Sequence, residues 1–99
     1  MYTVGPRKNR NSIEIMAAIL EKAKQGAKKT QVMYGANLSF YQIDGYIRHL
    51  LKMGFLSFER EGRFYWTTGK GREFLKNYEN IKSLMSPPPS PGAKPIMVR

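Results

Sequence analysis

The residue types that catalysis needs are scarce in this chain. Histidine occurs once, as His49, and cysteine is absent, which removes cysteine nucleophiles, Cys/His zinc sites and a triad built on a well-placed imidazole. His49 has no second metal ligand nearby in the sequence and reads as a surface residue or a phosphate contact. The seven acids form no pair that spacing can set up for general acid/base work. Gly69, Lys70 and Gly71 resemble part of a phosphate loop, but the Gly, four residues, Gly-Lys and Ser/Thr spacing is missing and no parallel strand precedes them. No enzyme is expected, and no cofactor or metal.

Binding chemistry is better supplied. Lysine and arginine total 17 against those 7 acids, a formal charge of +10 with a pI near 10.1, so the natural partner is acidic: nucleic acid or an anionic surface. The cations come in groups. Arg7, Lys8 and Arg10 lie in an acid-free amino terminus, Lys28 and Lys29 precede Thr30 and Gln31, and Arg48, His49 and Lys52 follow one another at helical spacing. Arg60 and Arg63 bracket Glu61 and Gly62, with Glu59 and Glu61 offsetting their charge locally.

The elements that must position these groups follow from periodicity and punctuation. Ile13, Met16, Ile19, Leu20 and Ala23 recur at helical spacing, opened by the capping pair Asn11 and Glu14 and stopped by Gly26. A short helical segment from Thr30, read as its cap, to about Tyr34 precedes a tight turn at Gly35, Ala36 and Asn37. Ser39 and Gln42 form a capping box, Leu38 and Ile43 a hydrophobic staple, and the helix they start runs from Phe40 to Met53, closed by Gly54. At 100° per residue, Phe40, Ile43, Tyr46, Ile47 and Leu50 share one face of it. Tyr41, Gly45, Arg48, His49 and Lys52 share the other, which is therefore polar and cationic with a small residue near its middle.

Leu56 to Arg60 and Arg63 to Thr67 read as strands joined by the two-residue turn Glu61-Gly62. Alternation puts Phe64 and Trp66 on one face and Arg63, Tyr65 and Thr67 on the other; one aromatic set is either exposed or covers the last helix, and hydrophobic packing is the favoured role. Thr68 caps that helix, along which Phe74, Tyr78, Ile81 and Met85 repeat in steps of 4, 3 and 4, flanked by Leu75 and Leu84.

Length and composition set the organisation. With 99 residues, 41% of them hydrophobic, the chain makes one domain with a modest core. Residues 1–10 read as a flexible basic arm, 11–85 as the folded domain, and 86–99 as a disordered Pro-rich tail whose P-x-x-P match, Pro88 to Pro91, reads as a spacer. No apolar run approaches a membrane span or a signal peptide, so a soluble, cytoplasmic and nucleoid-associated protein is expected. The fold class is α+β, mostly helical: helix, short helix, turn, second helix and β-hairpin in the order of a winged helix-turn-helix with a carboxy-terminal helix.

The residues themselves resemble the small archaeal winged-helix DNA-binding proteins, a group of transcription regulators and chromatin-associated proteins. Lys28-Lys29-Thr30-Gln31-Val32-Met33-Tyr34, Asn37-Leu38-Ser39-Phe40, Tyr46-Ile47, Leu50, Gly54-Phe55-Leu56, Tyr65-Trp66-Thr67-Thr68, Gly71, Phe74 and Leu75 carry the likeness, which spans roughly Asn11 to Ile81. Thr67, Gly69 and Lys70 depart from the group, which carries an aliphatic residue and an acidic helix start there.

The resemblance implies that the helix after Ser39 is a recognition helix in the major groove of double-stranded DNA. Gln42 then suits adenine and Arg48 guanine, Ser39 or Tyr41 phosphate, and Lys28 to Gln31, the wing arginines and the arm the DNA backbone. It also implies a homodimer through the last helix, with Phe74, Tyr78, Ile81, Leu84 and Met85 as its seam. A protein-interaction module and an RNA-binding protein are the alternatives that the same fold allows.

Overall fold

A computed structural model describes residues 11–86; the basic arm and, apart from Ser86, the Pro-rich tail lie outside the described residues. Helix α1 (Ser12–Lys22) starts where the sequence puts it. The Asn11 side chain accepts from the Glu14 N–H at 2.8 Å, and the Glu14 carboxylate accepts from the Asn11 N–H at 3.0 Å. These two bonds satisfy donors that a helix start otherwise leaves unpaired. A 3-10 turn (Ala23–Gln25) follows, and Gly26, at φ +85°, turns the chain out of it.

Helix α2 (Lys29–Gly35) begins two residues earlier than its sequence pattern indicates, with Lys28 at the cap position in place of Thr30. No side-chain oxygen caps it from Lys28; the Gln31 side chain instead reaches back and accepts from the Lys28 N–H at 2.8 Å. After Asn37, in the left-handed region at φ +57°, comes α3 (Phe40–Met53). Ser39 Oγ accepts from the Gln42 N–H at 3.2 Å and Gln42 Oε1 from the Ser39 N–H at 3.0 Å, while Leu38 and Ile43 are both buried. Gly54, left-handed at φ +82°, ends α3, and the Phe55 N–H bonds to the Leu50 carbonyl at 3.0 Å.

Strands β1 (Leu56–Glu59) and β2 (Phe64–Thr67) pair antiparallel, Leu56 with Thr67 and Glu59 with Phe64. The register is the predicted one, but the ladder stops a pair short, leaving a four-residue loop, Arg60–Arg63, in place of a two-residue turn. Extending the ladder would set Arg60 directly opposite Arg63, like charges that repel across a hairpin. Arg63 takes the positive φ, +60°, and Gly62 is small for another reason: a Cβ there would stand 2.6 Å from the Phe64 ring. Ala27 adds a single bridge to the outer edge of β2, exchanging two backbone bonds with Tyr65 at 3.0 and 2.8 Å.

Helix α4 (Gly69–Met85) is capped by Thr68, whose Oγ1 accepts from the Gly71 N–H at 3.0 Å. Lys70 and Gly71 of the Gly-Lys-Gly stretch have structural roles. Lys70 donates to the last carbonyls of α3 through Met53 at 2.9 Å, and Gly71 lets α4 approach so closely that a Cβ would lie 2.3 Å from the Phe55 carbonyl oxygen.

The core gathers Ile19, Leu20, Val32, Ile43 and Leu50 at full burial, with Ile15, Ile47, Leu56 and Leu75 around them. Thr67 is the buried polar residue among the described ones, and its hydroxyl donates to the Leu20 carbonyl at 2.6 Å. Phe55 is the ring that covers α4, meeting Phe74 at a centroid distance of 5.0 Å. Of the hairpin aromatics, Tyr65 packs on Phe58 at 4.8 Å, and Trp66 lies over Gly26 and donates to Glu59 at 3.1 Å. The core thus holds α1, α2 and the hairpin behind α3, whose outer face is left uncovered.

Candidate functional site

On α3 the core takes Ile43, Ile47 and Leu50. Tyr41, Gly45, Arg48, His49 and Lys52 are all exposed, as the helical projection predicts. Gly45 lies at the middle of this face, and a Cβ built on it meets nothing within 4 Å. Nothing inside the chain therefore requires a glycine there, although one in mid-helix costs about 1 kcal/mol relative to alanine.

Phe40 departs from its projected place. It is 67% exposed, because it occupies the first helical position, ahead of the turn that α3 packs on the core. Its ring meets Tyr41, which is 91% exposed, edge-on at 6.4 Å, and Lys29 Nζ stands 5.6 Å from its centroid. Lys29 is also ion-paired to Asp44, so an acid that spacing did not single out holds one of the expected phosphate ligands. A pair fifteen residues apart and joining two helices leaves no local sequence signal.

Gln42 and Gln31 each spend their side-chain oxygen on a backbone N–H at a helix start, at 3.0 and 2.8 Å. A two-point contact from Gln42 to adenine needs that oxygen and would have to release the cap. Ser39 is likewise engaged as the cap acceptor of α3. Arg48 and Lys52 form no ion pair among the described residues, so their charge is available on the surface.

The hairpin brings a second cationic group beside the first. Lys28, Lys29, Thr30, Phe58, Arg63 and Tyr65 line an open groove of about 430 Å³ between the start of α2 and the wing. Lys28 Nζ lies 5.6 Å from the Phe64 centroid, tying this group to the outer face of β2. Arg60 is exposed in the hairpin loop and does not line the groove. Arg7, Lys8 and Arg10 fall outside the described residues.

The predicted seam of α4 divides in two. Phe74 and Tyr78 are half-buried against the chain's own core, whereas Ile81, Leu84 and Met85 are 59%, 83% and 78% exposed. Among the described residues there is no cluster of metal-ligating side chains and no helix long and apolar enough to cross a membrane.

No curated protein matches the chain by sequence. Among solved structures it is similar to the crystal structure of Sso10a-2, a DNA-binding protein from Sulfolobus solfataricus, at 28% identity and a TM-score of 0.70, over 76% of this chain and 81% of that one. It shares its fold, at 15% identity and a TM-score of 0.58, with BpsR of Bordetella bronchiseptica, whose DNA binding is regulated by 6-hydroxynicotinic acid; that match covers 88% of this chain and 69% of the other. A winged helix-turn-helix family model matches residues 9–86, the span that holds α1 to α4 and the hairpin, and the chain belongs to that family.

Proposed function

We propose that the chain binds double-stranded DNA, placing the outward face of α3 in the major groove and the start of α2 and the wing on the phosphates. The observation that carries this reading is Gly45: it is open on an exposed face on which Arg48, His49 and Lys52 follow it within two turns, so its small size serves a surface outside the chain. A net charge of +10 supplies the attraction, and the likeness to Sso10a-2, a DNA-binding protein, supports the same partner.

Arg48 is the main base-reading residue in this reading, suited to guanine, and Gln42 adds a donor from its amide nitrogen. Lys28, Thr30, Arg63, Lys52 and the arm residues Arg7, Lys8 and Arg10 bind backbone. Two copies joined through the exposed end of α4 would present two such heads to one duplex. The chain acts by occupancy, as a transcription regulator or a chromatin protein.

Titration of a mixed-sequence duplex and of single-stranded RNA across a salt series tests this. With roughly five phosphates neutralised per protomer, log affinity for the duplex falls against log salt with a slope of about −4 to −5. Binding without salt dependence, or tighter binding of the RNA, overturns it.

A further inference from the structure

Phe40 and Tyr41 have no evident task inside the fold. Both are exposed large rings at the first two positions of α3; they meet each other edge-on at 6.4 Å, and the Lys29 ammonium stands over Phe40. A polar residue at either place would satisfy the helix start equally well, since the Ser39–Gln42 box already caps it. An exposed apolar pair beside Lys29, two turns before Arg48 on the same helix, is a surface for a partner that offers anionic and apolar groups together.

In duplex DNA the phosphates supply the charge, and in the major groove the apolar group on an unmodified base is the thymine 5-methyl. We propose that the Phe40–Tyr41 pair reads thymine through that methyl, giving the chain a preference for thymine over the same base lacking it. The inference rests on α3 entering the major groove. The Lys29–Asp44 ion pair fixes the start of α2 against α3, and with it the Lys29 ammonium that stands over the Phe40 ring.

The comparison uses the intact chain with two alternating duplexes, poly(dA-dT) and poly(dA-dU), which differ in the methyl alone. Burying one methyl is worth about fourfold in affinity, so poly(dA-dU) is expected to bind roughly 3- to 10-fold more weakly. The double variant Phe40→Ala/Tyr41→Ala, checked for unchanged helical content, should bring the two affinities together without changing the salt slope. Tyr41→Phe should keep the discrimination, because it removes only the hydroxyl.

Equal wild-type affinities overturn methyl reading and leave duplex binding standing. A ratio that survives in the double variant also overturns it, by showing that duplex stiffness and not contact is being read. Failure to bind either duplex at low salt overturns both this inference and the reading beneath it.

Discussion

Lys29 and Asp44 form an ion pair that ties the start of α2 to the recognition-helix candidate α3. Both side chains are partly exposed, at 39% and 48%, so the pair adds little to stability, within about 1 kcal/mol. Its larger effect is on charge: it neutralises one cation and leaves a carboxylate beside the surface proposed for DNA. Asp44→Asn should leave the melting temperature within a few degrees of wild type while tightening duplex binding. One more phosphate contact steepens the salt slope by about 0.9, which a titration at several salt concentrations reads directly.

Gly45 separates fold from function in one substitution. With nothing within 4 Å of its Cβ position, Gly45→Ala should stabilise the chain by about 0.5–1 kcal/mol through helix propensity alone. Duplex affinity should fall nonetheless, because the added methyl stands where the DNA surface approaches. Denaturant unfolding and a binding titration on the same protein measure both, and a variant that gains stability with undiminished affinity contradicts the proposed docking face.

The capping boxes at Asn11 and Ser39, the Leu38–Ile43 staple and the Gly54 stop were legible because each is decided within a few residues of chain. The outward set on α3 was legible for the same reason, since one helical period orders it. Phe40 was not: periodicity assigned it to the core side, but at the first helical position it stays 67% exposed, with the Lys29 ammonium of α2 over its ring, while Ile43 takes the buried place. The length of the hairpin loop depended on where the ladder ends, and the left-handed residue proved to be Arg63, a non-glycine that propensity does not mark. The Lys29–Asp44 pair and the single bridge from Ala27 to Tyr65 arise from tertiary placement and have no counterpart in spacing.

Gly71 and Thr67 join α4 to the rest of the domain, and both should be sensitive. Gly71→Ala drives a methyl into the Phe55 carbonyl and Thr67 Cγ2, at 2.3 and 2.7 Å, and should cost about 1–3 kcal/mol as α4 is pushed away. Thr67→Val keeps the shape but loses the 2.6 Å bond to Leu20, leaving a buried carbonyl short of a donor, for about 1 kcal/mol. Chemical denaturation should rank Gly71→Ala below Thr67→Val, and both below wild type.

The exposed end of α4 predicts self-association of a limited kind. Phe74 and Tyr78 already pack on the chain's own core, so a second copy would add contact chiefly to Ile81, Leu84 and Met85. Ile81 and Met85 line, with Ile13, Phe74 and Tyr78, an open groove of about 380 Å³ between α1 and α4, giving a partner helix a place to rest. A seam of one to two helical turns is short, and an interface that small is expected to be weak. Sedimentation should therefore show wild-type dimer forming in the micromolar range, and Ile81→Lys, whose position is already exposed, should give a monomer with unchanged helical content. Linking two reading heads raises effective concentration, so the variant should lose more affinity for a duplex carrying two adjacent sites than for one carrying a single site. A wild-type chain that stays monomeric at high micromolar concentration assigns the carboxy-terminal apolar residues no role in self-association.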